Sequence, residues 1–472
     1  MVALALCIPG LSQGALATDT AWYTAIAIQA WHGAASGDIG ALWTLEGVAG
    51  QPYFNKPPLA FWLNGLPLAA LGPTVLASRL GSVLACVLCV LAISRLGRLL
   101  VGRMVGLSAG LVLALTLEFI RHSHAFSLDL WMTLFVTLAG CSAAAAHAGD
   151  QPRRLAFAGI WIGLALLVKP LVPLLAFPLL AAWLPAIGRT RWLGWLAASV
   201  AVAAAVAAPW HLSMWFLHGE AFTAQYFGRE IIDRAAAGPV ADFNKGSASP
   251  LYYVPVLLSS YWPWLATFLL AMVALVRREG TPRTRAILLL AAIWCLGWVA
   301  LLSIFPDKRP RYLLIAYPIA ALASAAMLTR LAPLPVRRFW RTTVRWVPPI
   351  AILAAIVIAL APVRLHRLES PQWAALFAWL GDQGNPPLMA GGLAPQRSAQ
   401  VYLATGRWPI PTRSVSGEPL ADPAAGAFVL YHRRDGLSPG PNETVVFTSD
   451  SLTVTRLDSP PWTPVPTPDP GE

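Results

Sequence analysis

Apolar runs long enough to cross a lipid bilayer recur along most of this 472-residue chain, and no other feature constrains its fold as strongly. A spanning helix needs about 20 mostly apolar residues to cover the hydrocarbon layer. Such runs are read near 2–17, 75–94, 104–119, 129–147, 155–168, 170–185, 193–213, 252–276, 286–304, 311–329 and 346–362, which makes eleven crossings. Residues 59–71 are equally apolar, but Pro57, Pro58, Pro67 and Pro73 crowd them, and they are read as a half-inserted segment. Only 12% of residues are charged, against about 25% in a soluble domain. That is too little charge to build a water-soluble surface, so the fold class is an α-helical polytopic membrane protein.

Charge assigns sides to this layout. With the N-terminus cytoplasmic, the inner loops carry Arg95, Arg98 and Arg103; Arg153 and Arg154; Arg189 and Arg191; Arg277, Arg278, Arg283 and Arg285; and Arg330, Arg337, Arg338, Arg341 and Arg345. Short arginine-rich loops with few acids are the positive-inside signature. The net charge of +12 is therefore dispersed between spans, which argues against a nucleic-acid partner. An odd number of crossings places the C-terminus outside. All five cysteines sit in apolar stretches, and Cys86 and Cys89 are read as helix positions, not as a redox or metal pair.

The first 17 residues end in Ala15-Leu16-Ala17, which imitates a signal-peptide cleavage site but lacks a basic n-region, and they are read as a first span. After residue 362 the composition turns rich in Pro, Gly and Ser. An amphipathic helix near 371–382 and strand-like pieces "AFVLYH" and "ETVVFTS" follow. The expected organisation is a membrane domain over 1–362, a small extracytoplasmic α/β domain over 363–458, and a disordered Pro-rich tail over 459–472.

The outer segments hold the charges that break the positive-inside pattern, and charge at a membrane edge is costly enough to need a reason. Asp19 follows the first span, with Trp22, Ile26 and Gln29 after it at helical spacing, as in a helix lying along the interface. The plainer reading of Asp19 is an N-cap. In "QPYFNKPPLAFWL", Lys56 is locked by two prolines among Tyr53, Phe54, Phe61 and Trp62. A rigid lysine among aromatic rings suits a lipid-linked phosphate, whereas a snorkelling lysine does not require the prolines. "RHSHAFSLDLWMTLF" places Arg121, His122, His124 and Asp129 near one outer edge. A metal site there is disfavoured, because histidines at i and i+2 do not share a helix face. Lys169-Pro170 forms the next outer turn, and "PDKRPRYLLIAYP" concentrates Lys308, Arg309 and Arg311 with Asp307 at another.

These motifs in this order, with Lys169-Pro170 closing "LALLVKP" and with "SPLYYVPVLL" before the last, resemble the bacterial membrane glycosyltransferases related to the lipid A aminoarabinose transferase and the protein O-mannosyltransferases. The resemblance runs from Asp19 to about residue 330. It implies a class C glycosyltransferase-like bundle, here of about 11 transmembrane helices, that takes sugar from a polyprenyl phosphate at the outer face of the membrane. The first-loop acid of the family is the proposed base and maps onto Asp19, with Asp129 grouped beside it as catalytic. The lysine of K-P-P is implied to meet the donor phosphate and maps onto Lys56, joined by Arg121, Lys169, Lys308 and Arg309. Tyr53, Phe54, Asn55, Tyr252 and Tyr253 are assigned contacts with sugar or lipid.

The chain departs from the pattern in three places. Thr20 follows Asp19 where relatives often have an acid, Asn55 precedes the lysine where an acid is implied, and Asn244 stands where a histidine is implied to bind metal. Amide oxygens are weak zinc ligands, so no metal and no cofactor are expected. The expected reaction is inverting transfer from an undecaprenyl-phosphate sugar to a lipid or protein hydroxyl, in a bacterial cytoplasmic membrane. Two other classes stand beside it: a lipid-phosphate flippase, which calls for an internal repeat or midplane charge that the sequence lacks, and a catalytically lapsed lipid-sugar binding protein.

Overall fold

The computed structural model describes residues 7, 11–12, 16, 18–233, 249, 251–262, 264–304, 308–331, 342, 371–384, 386–391, 393–405, 407–412, 424–432, 437–449, 451–460 and 464–466. They fall into two compact units. One comprises Met1–Leu11, Phe54–Leu63 and Arg79–Val363; the other comprises Ser12–Tyr53, Asn64–Ser78 and Arg364–Glu472.

The first unit is helical. Among the described residues Val75–Leu100, Leu128–Gly149, Thr190–Arg229 and Pro282–Ile304 are each long and apolar enough to cross a membrane. Arg103–Ala114 with Leu117–Ser123, and Tyr253–Ser260 with Trp264–Val276, qualify only as broken spans. The expected run at 346–362 lies outside the described residues, and 2–17 lies almost wholly outside them. Runs expected at 155–168 and 170–185 form helices Ala156–Leu166 and Ala176–Ala186 of 11 residues each, extended only by 3-10 turns. At 1.5 Å per residue each is well short of the hydrocarbon thickness. Leu59–Leu71 is likewise a 13-residue helix, in keeping with a half-inserted segment.

Small residues let these helices approach backbone to backbone, which is how helices associate where burial of apolar surface gives no net drive. A Cβ built on Gly106 would lie 2.3 Å from Ser94 O, and one on Gly159 would lie 2.1 Å from Ser199 O. The first contact seats Arg103–Ala114 against Val75–Leu100, and the second seats Ala156–Leu166 against Leu193–Thr223.

The span expected at 104–119 bends by 61° between Ala114 and Leu117. Its cause is local. Thr116 adopts an extended conformation (φ −76°, ψ 119°), and its hydroxyl donates to Val112 O at 2.9 Å, taking over a carbonyl that an unbroken helix would pair with an amide. Beyond the span expected at 193–213 the chain stays helical as far as Asp233: Leu193–Thr223 kinks at Gly219 (φ 50°) and runs into a π-helical segment, Ala224–Asp233.

The second unit joins a helix, Thr18–Ala35, to an α/β arrangement. Strands β1 (Leu388–Ala390), β2 (Ile410–Pro411), β3 (Phe428–His432), β5 (Glu443–Ser449) and β6 (Leu452–Leu457) form a sheet in the order β2-β1-β3-β6-β5; β4 (Leu437–Ser438) pairs with β7 (Val465–Pro466). The parallel pair β1 and β2 is bridged by the helix Pro395–Thr405, as a parallel connection requires. The helix Pro371–Asp382 buries Trp373, Leu376 and Leu380, spaced for one face, against Leu388, Leu430, Leu452 and Val454. Each such side chain contributes about 1.5–3 kcal/mol on burial.

The stripe Trp22, Ile26 and Gln29, expected to lie along the membrane interface, packs against protein. Ile26 is fully buried, Trp22 packs 6.0 Å from the Tyr53 ring, and the Gln29 amide donates to Glu46 at 3.1 Å while accepting from Trp408 Nε1 at 3.0 Å. The helix is covered by protein because alanines 21, 25, 27 and 30 leave its other faces flat enough to pack against.

Candidate active site

Three of the sequence motifs meet in the first unit. Pro57 and Pro58 deny the chain two amide donors, so the helix Leu59–Leu71 starts after them and leaves its first amide to find an acceptor outside. Leu59 N donates to Leu167 O at 3.0 Å, two residues before Lys169. Phe61 packs 5.8 Å from Phe126, three residues before Asp129. The K-P-P turn, the L-V-K-P turn and the start of the Leu128–Gly149 helix are thereby held side by side.

Asp129 sits in the first turn of that helix, where the macrodipole favours a carboxylate. Ser127 fixes the turn: its Oγ accepts from Leu130 N at 3.3 Å, and its own amide donates to Ser82 Oγ at 2.8 Å. Lys169 Nζ donates to Asp129 Oδ1 at 2.6 Å, and Arg311 Nε lies 3.8 Å from Asp129 Oδ2. Lys169 also stands 5.4 Å over the Tyr312 ring. Pro170 disfavours helical geometry at Lys169, and Leu171 takes the sparsely populated φ of 50°. The helix Ala156–Leu166 therefore ends at this turn and presents the lysine sideways to Asp129.

The other predicted residues are placed as follows. Lys56 is buried, and its ammonium donates to Asn55 O at 2.9 Å. The Asn55 side-chain oxygen accepts from Gln225 at 2.5 Å, and Phe54 packs between His218 and Phe222. Lys308 is buried, and Arg309 is half-buried at the start of the 3-10 turn Pro310–Ile315. Arg121 is 61% exposed at its side chain. Tyr252 and Tyr253 open the helix Tyr253–Ser260 with rings 5.2 Å apart, Tyr253 being buried. Tyr53 and Asp19 belong to the second unit, where Asp19 is half-buried in the first turn of Thr18–Ala35. It is a helical residue and does not sit at the cap. Asp307 and Asn244 lie outside the described residues.

Sequence reasoning passed over Glu118. Its side chain is 3% exposed, and it bonds Arg121 and Ser260, each at 3.0 Å. The available signal was an acid inside an apolar run, "LALTLEFI". Gln225, from the π-helical segment, was passed over because nothing in its surroundings marks it.

At Asn55, where the resemblance implies a metal-binding acid, the residue does not fit a zinc ion: its neutral amide oxygen is a weak ligand and already accepts from Gln225. A groove of about 320 Å³, lined by Ser142, Ala145, Arg154, Phe157, Ile160 and Trp161, lies at the far end of the Leu128–Gly149 helix. Thirteen residues separate Ser142 from Asp129, about 20 Å of helix, so the groove is not part of this cluster.

Residues 55–215 match the family model described as dolichyl-phosphate-mannose-protein mannosyltransferase. Among curated proteins, the undecaprenyl phosphate-alpha-4-amino-4-deoxy-L-arabinose arabinosyl transferase of Edwardsiella ictaluri is 30% identical over 312 residues, covering 63% of this chain and 53% of the relative. Its counterpart from Pseudomonas aeruginosa is 28% identical over 304 residues, covering 62% and 53%. The chain thus spans about half the length of the curated relatives it matches. Among solved structures, ArnT from Cupriavidus metallidurans bound to undecaprenyl phosphate superposes with a TM-score of 0.69 at 17% identity over 98% of each chain. The archaeal oligosaccharyltransferase AglB from Archaeoglobus fulgidus, in complex with an inhibitory peptide and a dolichol-phosphate, superposes with a TM-score of 0.54 at 13% identity over 92% of this chain and 69% of AglB. These two likenesses show the fold. The resemblance to the membrane glycosyltransferase superfamily, read from motif order, is borne out by the family model and the curated relatives.

Proposed function

We propose that this chain, similar to membrane glycosyltransferases that use polyprenyl-phosphate sugars, transfers a sugar from such a donor to an acceptor hydroxyl with inversion at the anomeric carbon. The observation that carries the reading is the packing of the Lys56 turn against the Lys169 turn, beside Asp129 and Arg311. Fixed cations in a region of low dielectric suit a phosphate whose charge grows as it leaves. Aromatic rings around the K-P-P turn suit the isoprenoid and the sugar face.

In this reading Asp19 accepts the proton of the acceptor hydroxyl as the oxygen attacks the anomeric carbon. The bond from that carbon to the phosphate oxygen breaks, and polyprenyl phosphate departs with its negative charge held by Lys56 and by members of the set Arg121, Lys169, Lys308 and Arg309. No nucleotide and no Mg²⁺ is called for in this reading, because the lipid phosphate monoester leaves directly. Asp129, engaged by two cations, serves by holding Lys169 and Arg311 in place. Chemistry at the outer face of a bacterial cytoplasmic membrane, a cytoplasmic N-terminus, about eleven crossings, and domains over 1–362 and 363–458 followed by a tail complete the proposal.

The test is to incubate purified protein with a labelled undecaprenyl-phosphate sugar and a hydroxyl acceptor. Release of polyprenyl phosphate with glycosylated acceptor supports transfer. Movement of intact donor between leaflets without release supports a flippase, and donor binding without either supports a lapsed binding protein.

A further inference from the structure

We propose that Glu118 is the positioning residue of the phosphate site: its buried carboxylate holds Arg121 and His122 on one helix and ties them to Ser260 on another, so that the Arg121 guanidinium is presented in a fixed place. The inference rests on the donor-site reading above and adds to it a residue that no motif supplies.

The carboxylate is almost wholly removed from solvent, 3% exposed, at the bend between Arg103–Ala114 and Leu117–Ser123. Burying a carboxylate in a membrane protein is costly, and it persists where partners and a role compensate. Around it stand groups that can donate. Arg121 Nη1 is 3.0 Å from Oε1, Ser260 Oγ donates to the same oxygen at 3.0 Å, and His122 Nδ1 stands 3.4 Å from Oε2 and 2.9 Å from the Glu118 carbonyl. Arg121 is three residues on and His122 four, so one helical turn brings both side chains back over the acid.

The asymmetry of exposure gives the arrangement its direction. Arg121 has a 61% exposed side chain, yet it is anchored by a group that is buried. A surface ion pair of two mobile side chains contributes little, whereas a guanidinium held by a fixed carboxylate loses less freedom when it meets an anion. Ser260 closes the helix Tyr253–Ser260 that Tyr252 and Tyr253 open. Glu118 therefore links the Arg-His-Ser-His segment to the Tyr-Tyr segment.

A simple field argument and a positioning argument predict opposite signs. If Glu118 acted only through its negative charge, removing that charge would tighten phosphate binding. If it positions Arg121, removing the charge weakens binding. The experiment measures binding of undecaprenyl phosphate to purified protein in detergent for wild type, Glu118→Gln, Arg121→Ala and the double variant, with thermal unfolding as a folding check. The expected result is about tenfold weaker binding in each single variant and no further loss in the double variant, because both changes remove one unit. Tighter or unchanged binding in Glu118→Gln, or losses that multiply in the double variant, would overturn the proposal. Should Glu118→Gln fail to fold, the same cycle is run with Glu118→Asp, which keeps the charge and shortens its reach.

A readout without donor separates this inference from the functional reading. The rate at which phenylglyoxal modifies Arg121, followed by mass spectrometry, should rise several-fold in Glu118→Gln. If wild type binds no polyprenyl phosphate yet that rate rises, the functional reading fails while Glu118 still holds Arg121. If the rate is unchanged, the positioning claim fails.

Discussion

Lys169 and Asp129 form an ion pair of 2.6 Å in which both side chains are nearly buried, 12% and 7% exposed. Asp129 opens the helix Leu128–Gly149, and Lys169 lies in the turn that follows Ala156–Leu166, forty residues on in sequence. Such a pair stabilises little relative to a well-packed apolar pair, but losing one member leaves an uncompensated charge. Replacing Lys169 with Met should therefore destabilise the protein by about 3–5 kcal/mol. The double change Lys169→Met with Asp129→Leu should recover much of that loss. Thermal unfolding in detergent measures both, and equal loss in the single and double variants would show that the pair is not coupled.

Lys56 should be required for the donor rather than for the fold. Lys56→Ala removes a charge-assisted contact with the phosphate, worth about 1.5–3 kcal/mol. Binding of undecaprenyl phosphate should weaken by roughly tenfold to a hundredfold. A Lys56→Ala protein with unchanged donor binding would take this lysine out of the site.

Much of this site was legible because proline punctuates it. Pro57 and Pro58 set the start of one helix and Pro170 follows the end of another, in ways that sequence alone announces, and the lysines beside them sit at these breaks. The helix at Pro371–Asp382 and the strands Phe428–His432 and Glu443–Ser449 were equally plain, the first from its amphipathic spacing and the strands from short runs of β-branched and aromatic residues. Other features were hidden for physical reasons. The bend at Thr116 depends on a hydroxyl that a helix interior also tolerates. The stripe Trp22, Ile26 and Gln29 has the same spacing whether it faces lipid or protein, and only the partners Tyr53, Glu46 and Trp408 decide. Glu118 lay inside an apolar run whose average masked it, and no periodicity reports that a bend will bury a single acid.

Zinc should be absent at stoichiometric level. The position before Lys56 carries Asn55, whose oxygen is engaged by Gln225. Elemental analysis of protein purified without chelator should find well under one zinc per chain. A full equivalent, retained through gel filtration, would mean that ligands beyond this set assemble a site.

Membrane topology follows from the arginine clusters. A reporter fused after Arg285 should read cytoplasmic and one fused after Arg367 extracytoplasmic, since the positive-inside rule fixes the first and an odd number of crossings the second. The same side for both would change the number of crossings between them by an odd number.

Asp19 carries the chemistry of the proposal, and its position sharpens the test. It is the second residue of the helix Thr18–Ala35, so it acts on the helix through the dipole and not as a cap. A carboxylate there is worth about 0.3–1 kcal/mol, which sets the cost that Asp19→Asn should show in thermal unfolding. Asp19→Glu keeps the charge and the dipole interaction but moves the carboxylate outward by a methylene. If Asp19 serves only the helix, Asn loses a little stability, Glu loses none, and both retain turnover. If it is the base, Asn abolishes most turnover, because the amide cannot accept the acceptor proton. Glu then folds like wild type yet turns over slowly, because the basic oxygen is misplaced. Turnover of labelled undecaprenyl-phosphate sugar, measured beside undiminished donor binding, decides between the two. Full turnover in Asp19→Asn would remove the base from the mechanism and leave a carboxylate that only steadies its helix.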